Sequence, residues 1–142
     1  MAKITIHQSQ AVHNRKVAQE LLKENVLDWT VTCAFYSALH FIDAAFMKNP
    51  KIGNVEALHS KLKRSSTLGD DAKQKTLHGF RDMLLGQKFP KIRDKFAQLR
   101  TVSENVRYLK TGDKTGFEFV TAELAKRLLQ DLETIVNVVK TN

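Results

Sequence analysis

The chain is 142 residues long, with 23 lysines and arginines against 15 aspartates and glutamates, giving a formal net charge of +8 at pH 7. That length supports one domain with its own core, and a single cysteine, Cys33, excludes an internal disulfide. The charge bears on partners rather than on fold: a small basic protein favours nucleic acid, an anionic membrane surface or an acidic protein.

Proline is scarce and apolar residues recur mostly at helical spacing, which predicts an all-α chain with no sheet. From Gln8 to Asn25, Ala11, Ala18, Leu21 and Leu22 line one face and charged residues fill the other, giving an amphipathic surface helix. Val26–Met47 is apolar almost all the way round. Such a helix has no face suited to water and belongs at the centre of the fold, with Asp28 as its expected N-cap and Pro50 just beyond its end. It is long enough to span a bilayer, but Asp28, His40 and Asp43 interrupt it, so no membrane partner is expected. The N-terminal residues show neither a continuous apolar run nor a cleavage-site pattern, and the expected location is cytoplasmic. After a loop at 51–54, Asn54 caps a short helix over Val55–Arg64. A second break follows at 65–71. A helix from about Asp71 to Leu85 turns Leu77, Phe80 and Leu84 inward, Gly86-Gln87 ends it, and Pro90 opens the next. There Phe89, Ile92, Phe96, Leu99, Val102 and Val106 form the inward stripe. Beyond a loop at 111–116, Phe117-Glu118-Phe119 reads as an extended linker. The last helix covers Thr121–Lys140, with Ala125, Leu128, Leu132, Ile135 and Val139 inward. The expected architecture is an up-and-down bundle of four to five helices forming a single domain over residues 1–142.

No phosphate-cradling glycine loop is present, because Gly112-Asp113-Lys114-Thr115-Gly116 lacks the P-loop spacing and follows no strand. None of the histidines (His7, His13, His40, His59, His78) recurs at i, i+4, so neither a metal site nor a cofactor is expected. What stands out is Tyr36, His40 and Asp43, at i, i+4 and i+7 along the apolar helix. A buried polar group without a partner costs about 1–3 kcal/mol, so this stripe is either a structural network or a site. Cys33 and His40 are seven residues apart, roughly 10 Å along a helix, too far for one to activate the other. Arg107 borders the inward stripe of its own helix, with Ser103 one turn before it. It needs an acidic or a phosphate partner, and Asp43 is the expected acid. Two basic blocks carry most of the excess charge: Lys48 to Lys75 holds seven basic residues against three acidic, and Lys88 to Lys110 seven against two. They form either a solvated face or a phosphate-tracking surface, depending on whether they converge in space. Phe41, Phe46, Phe117 and Phe119 are left over once each helix has one inward stripe, which points to a homodimer interface.

Several of these residues together carry a family resemblance: Ala11-Val12-His13-Asn14, Asp28-Trp29, Phe35-Tyr36-Ser37-Ala38-Leu39-His40 with Asp43-Ala44, His59 with Arg64, and Ser103-Glu104-Asn105-Val106-Arg107-Tyr108. The chain resembles the HEPN-like (higher eukaryotes and prokaryotes nucleotide-binding) helical-bundle proteins over roughly His13 to Tyr108. The resemblance implies a four- or five-helix bundle, often dimeric. Many members are metal-independent ribonucleases of toxin–antitoxin, phage-defence or CRISPR systems that use an Arg-x(4–6)-His motif. No arginine here is followed by histidine at that spacing. The expectation is therefore a bundle that binds an anionic ligand, nucleotide or RNA, at a pocket lined by Tyr36, His40, Asp43, His59, Arg64, Ser103 and Arg107. Arg64 and Arg107 would hold phosphate, His40 and His59 would donate or shuttle protons, and Tyr36 would stack or hydrogen-bond. The alternatives are a divergent ribonuclease using His40 or His59 with Arg107, and a protein-interaction module whose polar stripe only fixes helix register.

Overall fold

The structure, a computed structural model, describes residues 3–64 and 76–141. Within them the chain is helical, with no strand among the described residues. The elements are α1 (Ile4–Lys23), α2 (Leu27–Met47), α3 (Val55–Arg64), α4 (Leu77–Lys88), a 3₁₀ turn (Pro90–Ile92), α5 (Arg93–Arg107), the one-turn α6 (Gly116–Phe119) and α7 (Ala122–Lys140). Lys73 and Lys75 of the basic block at Lys48 to Lys75 lie outside the described residues, and the helix expected from about Asp71 starts at Leu77, where Thr76 is the N-cap and its side chain accepts from Gly79 N–H.

Helix α2 is the axis of the bundle, as its all-round apolar sequence requires. Val31, Ala34, Phe35, Ala38, Ile42 and Phe46 are essentially inaccessible, and α1, α5 and α7 pack around them. Its length and composition would also suit a membrane span, but it is mostly buried inside the bundle. Helix α1 packs closely on α2, and small residues line both sides: Ala11 and Ala18 of α1 and Ala34 and Ala38 of α2 are all fully buried. That approach lets Ser37 Oγ donate a 2.7 Å hydrogen bond to the Ala11 carbonyl, so a buried hydroxyl also fixes the register. The turn between these helices places Asn25 in the left-handed region (φ 62°), with Val26 N–H donating back to the Leu21 carbonyl. On the far side Phe35 stacks on Phe96 of α5 at 5.7 Å between ring centres, and α7 closes the core with Leu128, Leu132 and Ile135.

Four further boundaries depart from the sequence expectation. Helix α1 begins at Ile4, a turn before Gln8. Asp28 is not the N-cap of α2: Val26 holds that position without a side-chain bond, and Asp28 lies in the first turn, where a carboxylate suits the helix dipole. Gly86-Gln87 does not end α4, which continues to Lys88. A mid-helix glycine costs only about 1 kcal/mol, whereas Pro90 lacks an N–H and drives Phe89 out of helical geometry (φ −136°, ψ 59°), so the break falls there. Phe117-Glu118-Phe119 is not extended. Thr115 and Glu118 form a reciprocal capping box that closes one helical turn, and Val106 lies so near Gly116 that a Cβ there would sit 3.2 Å from its carbonyl. Asn54 does cap α3, its Oδ1 accepting from Ala57 N–H at 2.9 Å.

Candidate anion-binding site

The polar stripe of α2 is satisfied level by level, each residue by a different helix. At the lowest level Asp43 receives a two-pronged bond from Arg81 of α4, Nε at 2.8 Å and Nη2 at 3.1 Å. This overturns the expected Asp43–Arg107 pair. Asp43 and Tyr36 are seven residues apart on α2, roughly 10 Å along the axis, and Arg107 at the end of α5 reaches only the Tyr36 level. The arginine that does meet Asp43 carries a signal in the sequence: Arg81 stands between Leu77 and Leu84 on the inward stripe of its helix, and its side chain is 5% exposed.

One level up, His40 Nδ1 lies 3.0 Å from His7 Nδ1 of α1, so one imidazole donates and the other accepts. Burial pushes the His40 pKa below its ordinary 6.5, the neighbouring His7 lowers it further, and Asp43 partly opposes them. The neutral form is favoured. Beside this pair runs a groove of about 270 Å³, lined by His7, Gln10 and Asn14 of α1 and Cys33, Tyr36 and His40 of α2. Cys33 is only partly buried, and burial raises its pKa, which holds it as a thiol.

At the Tyr36 level stands Arg107. Its Nη1 donates to Tyr36 Oη at 2.8 Å, and its Nε lies 3.2 Å from Ser103 Oγ and 3.3 Å from the Ser103 carbonyl. The guanidinium carbon is 5.6, 5.3 and 5.3 Å from the ring centres of Phe35, Tyr36 and Tyr108, within cation–π range of each. The rest of its surroundings sets it apart. Arg15 pairs with Glu133, Arg81 with Asp43, Lys95 with Asp131 and Arg100 with Asp82. Among the described residues Arg107 has no carboxylate partner, although it is half-buried and held on three sides. The turn that ends α5 puts Leu109 in the left-handed region (φ 54°), with Lys110 N–H donating to the Asn105 carbonyl, and leaves Tyr108 65% exposed beside the guanidinium.

The remaining expected site residues do not join this cluster. His59 of α3 is buried and packs on Phe80, with ring centres 5.1 Å apart. Arg64 is exposed at the end of α3. Thus Tyr36, Ser103 and Arg107 are joined by hydrogen bonds, His40 flanks Tyr36 through the shared groove, and Asp43 is taken by Arg81. His7 and Arg81 were missing from the expected set. His7 gives no local sign of its role, since a histidine near a chain end has no neighbours in sequence that reveal a partner 33 residues away.

A family model for the HEPN domain matches residues 6–142, almost the whole chain. The chain belongs to the HEPN domain family. No curated protein and no solved structure gave a significant match. In this HEPN domain Arg107 of α5 bonds to the Tyr36 hydroxyl, while His40 of α2 shares the groove with Tyr36, so the arginine and the histidine come from different helices.

Proposed function

We propose that this HEPN domain binds RNA or a nucleotide, with Arg107 as the phosphate anchor. The observation that carries the reading is the half-buried guanidinium with no carboxylate among the described residues. A charge removed from water calls for a counter-charge, and a phosphate oxygen pair matches the arginine fork. Ser103 and Tyr36 hold the fork in place, and exposed Tyr108 offers a face on which a base can stack. The groove beside Tyr36 supplies Gln10, Asn14 and the His7–His40 pair as polar contacts for a sugar or base. Fluorescence anisotropy with a short single-stranded RNA tests this. Arg107→Ala should weaken binding about tenfold or more, and the affinity should fall with added salt. Unchanged affinity in Arg107→Ala, with the fold intact by circular dichroism, would falsify the assignment.

A second reading, a divergent ribonuclease, has one specific support. His40 is held toward its neutral form on the same groove, the state a general base needs to take a proton from a 2′-hydroxyl. Cleavage of RNA in the presence of a chelator, lost in His40→Gln while binding persists, would establish it. We also propose a homodimer, through other residues than expected. Phe41 and Phe46 are 5% and 1% exposed in the core of the single chain, and Phe119 is partly buried. Phe117 and Trp29, 64% and 58% exposed, remain as interface candidates. A link to toxin–antitoxin or phage defence is part of the same proposal and rests on the family resemblance.

A further inference from the structure

Lys48 and Lys51 of one basic block and Lys88 and Lys91 of the other come together, with Lys140, at the end of the bundle away from Arg107. Lys48 lies twelve residues beyond Tyr36, roughly 18 Å further along the α2 axis. Lys48 and Lys51 face Lys88 across a groove of about 560 Å³ whose floor is Ala45, Phe46 and Phe89. Two smaller hollows continue it. One, of about 270 Å³, shares Lys88 and Phe89 and adds Lys91; the other, of about 240 Å³, shares Ala45 and Lys48 and adds Phe41 and Lys140. Five lysines border this surface, and none of its lining residues is acidic. None of the five pairs with a carboxylate among the described residues, although Lys140 Nζ lies 5.5 Å from the centre of the Phe41 ring.

Part of this charge has a local reason. Helices α2, α4 and α7 all end here, and Lys48, Lys88 and Lys140 stand at their C-termini, where a cation complements the helix dipole. Three helix ends supply about −0.5 charge each, so five lysines leave the face at about +3.5. That surplus needs a partner that is both acidic and apolar. Nucleic acid fits the charge but not the floor, because Phe46 is 1% exposed and offers no face for a base. A membrane fits poorly for the opposite reason: the apolar side chains are recessed behind the lysines rather than projecting beyond them.

We infer that this surface docks an acidic amphipathic helix of a partner protein, its apolar side chains over Ala45, Pro50 and Phe89 and its carboxylates against the five lysines. This interaction is independent of the phosphate site at Arg107. The test uses the full chain and a labelled synthetic helix with leucines at i, i+3, i+4 and i+7 and glutamates elsewhere. Controls are the same peptide with lysines for glutamates, a short RNA, and vesicles of phosphatidylglycerol. The expected result is saturable binding of the acidic peptide that shifts the backbone amide resonances of Ala45, Phe46 and Phe89. The exposed-charge variant K48E/K88E/K91E should weaken it at least about tenfold and gain affinity for the lysine peptide. A thermal melt matching the parent shows that the variant is folded, and RNA binding through Arg107 should survive in it. Absence of peptide binding, or equal binding by the triple variant, overturns the proposal. So does an RNA or vesicle affinity that falls in the triple variant while peptide binding does not, because the surface would then serve that ligand.

Discussion

Arg107 and Arg81 show how the same side chain takes opposite roles according to its neighbours. Arg81 is consumed by Asp43 in a pair whose side chains are 5% and 15% exposed. Replacing Arg81 with methionine strands a buried carboxylate and should cost about 3–5 kcal/mol in chemical denaturation, with little effect on RNA affinity per folded molecule. Arg107→Ala should do the reverse, costing little stability and much binding. A third residue-scale expectation concerns pH. His40, and likewise His78, have pKa values lowered mainly by burial, so the folded chain binds fewer protons than the unfolded one near the ordinary histidine value of 6.5. Their contribution is favourable to folding above that value and is lost as pH falls from 6.5 to the lowered folded-state pKa values. The melting temperature should therefore drop on acidification across that window, and His40→Gln should flatten part of the drop. A profile just as steep in His40→Gln would remove His40 from the account.

At the scale of elements, the turns that hold the site are as informative as the helices. Leu109 adopts a left-handed backbone that costs a non-glycine residue roughly 1–2 kcal/mol, and its side chain is 66% exposed. Leu109→Gly should relieve that strain and raise the melting temperature, though the added freedom of the unfolded chain offsets part of the gain. A lower melting temperature would mean that the leucine side chain contributes more than its exposure implies. The α6 turn depends on its capping box and on close approach to α5. Thr115→Ala removes the bonds to the Glu118 N–H and carboxylate and should cost about 1 kcal/mol. Gly116→Ala sets a methyl 3.2 Å from both the Val106 carbonyl oxygen and its Cγ1, next to Arg107 in sequence, and should cost about 1–3 kcal/mol.

For the whole molecule the question is what covers its exposed apolar side chains. Trp29, Tyr108, Leu109 and Phe117 are each more than half exposed. If Trp29 and Phe117 meet a second copy, light scattering at micromolar concentration should give twice the chain mass of 16.2 kDa. The single Trp29 should then shift its fluorescence to the blue relative to a Phe117→Ser variant that dissociates. A monomer mass with parent-like Trp29 emission would leave these residues to another partner.

The sequence by itself determined the longer helices, though not the one-turn α6, and marked α2 as the most buried of them. The all-round apolar run of α2, the one-sided stripes of α4, α5 and α7, and the Asn54 cap are local patterns, and local patterns survive folding. It also marked Tyr36, Ser103 and Arg107, because a polar group at the edge of an apolar stripe is visible without knowing what it touches. Tertiary structure alone decided the partners. Asp43 lies nearer Arg81 than Arg107 because the rise of α2 separates its polar residues into levels, and each level meets a different helix. His7 and His40 are brought together by the close α1–α2 approach that small alanines permit, which no spacing rule within either helix encodes. Lys48 and Lys51 meet Lys88 and Lys91 only because three helices end on one face, bringing charges some forty residues apart in sequence around a common apolar floor.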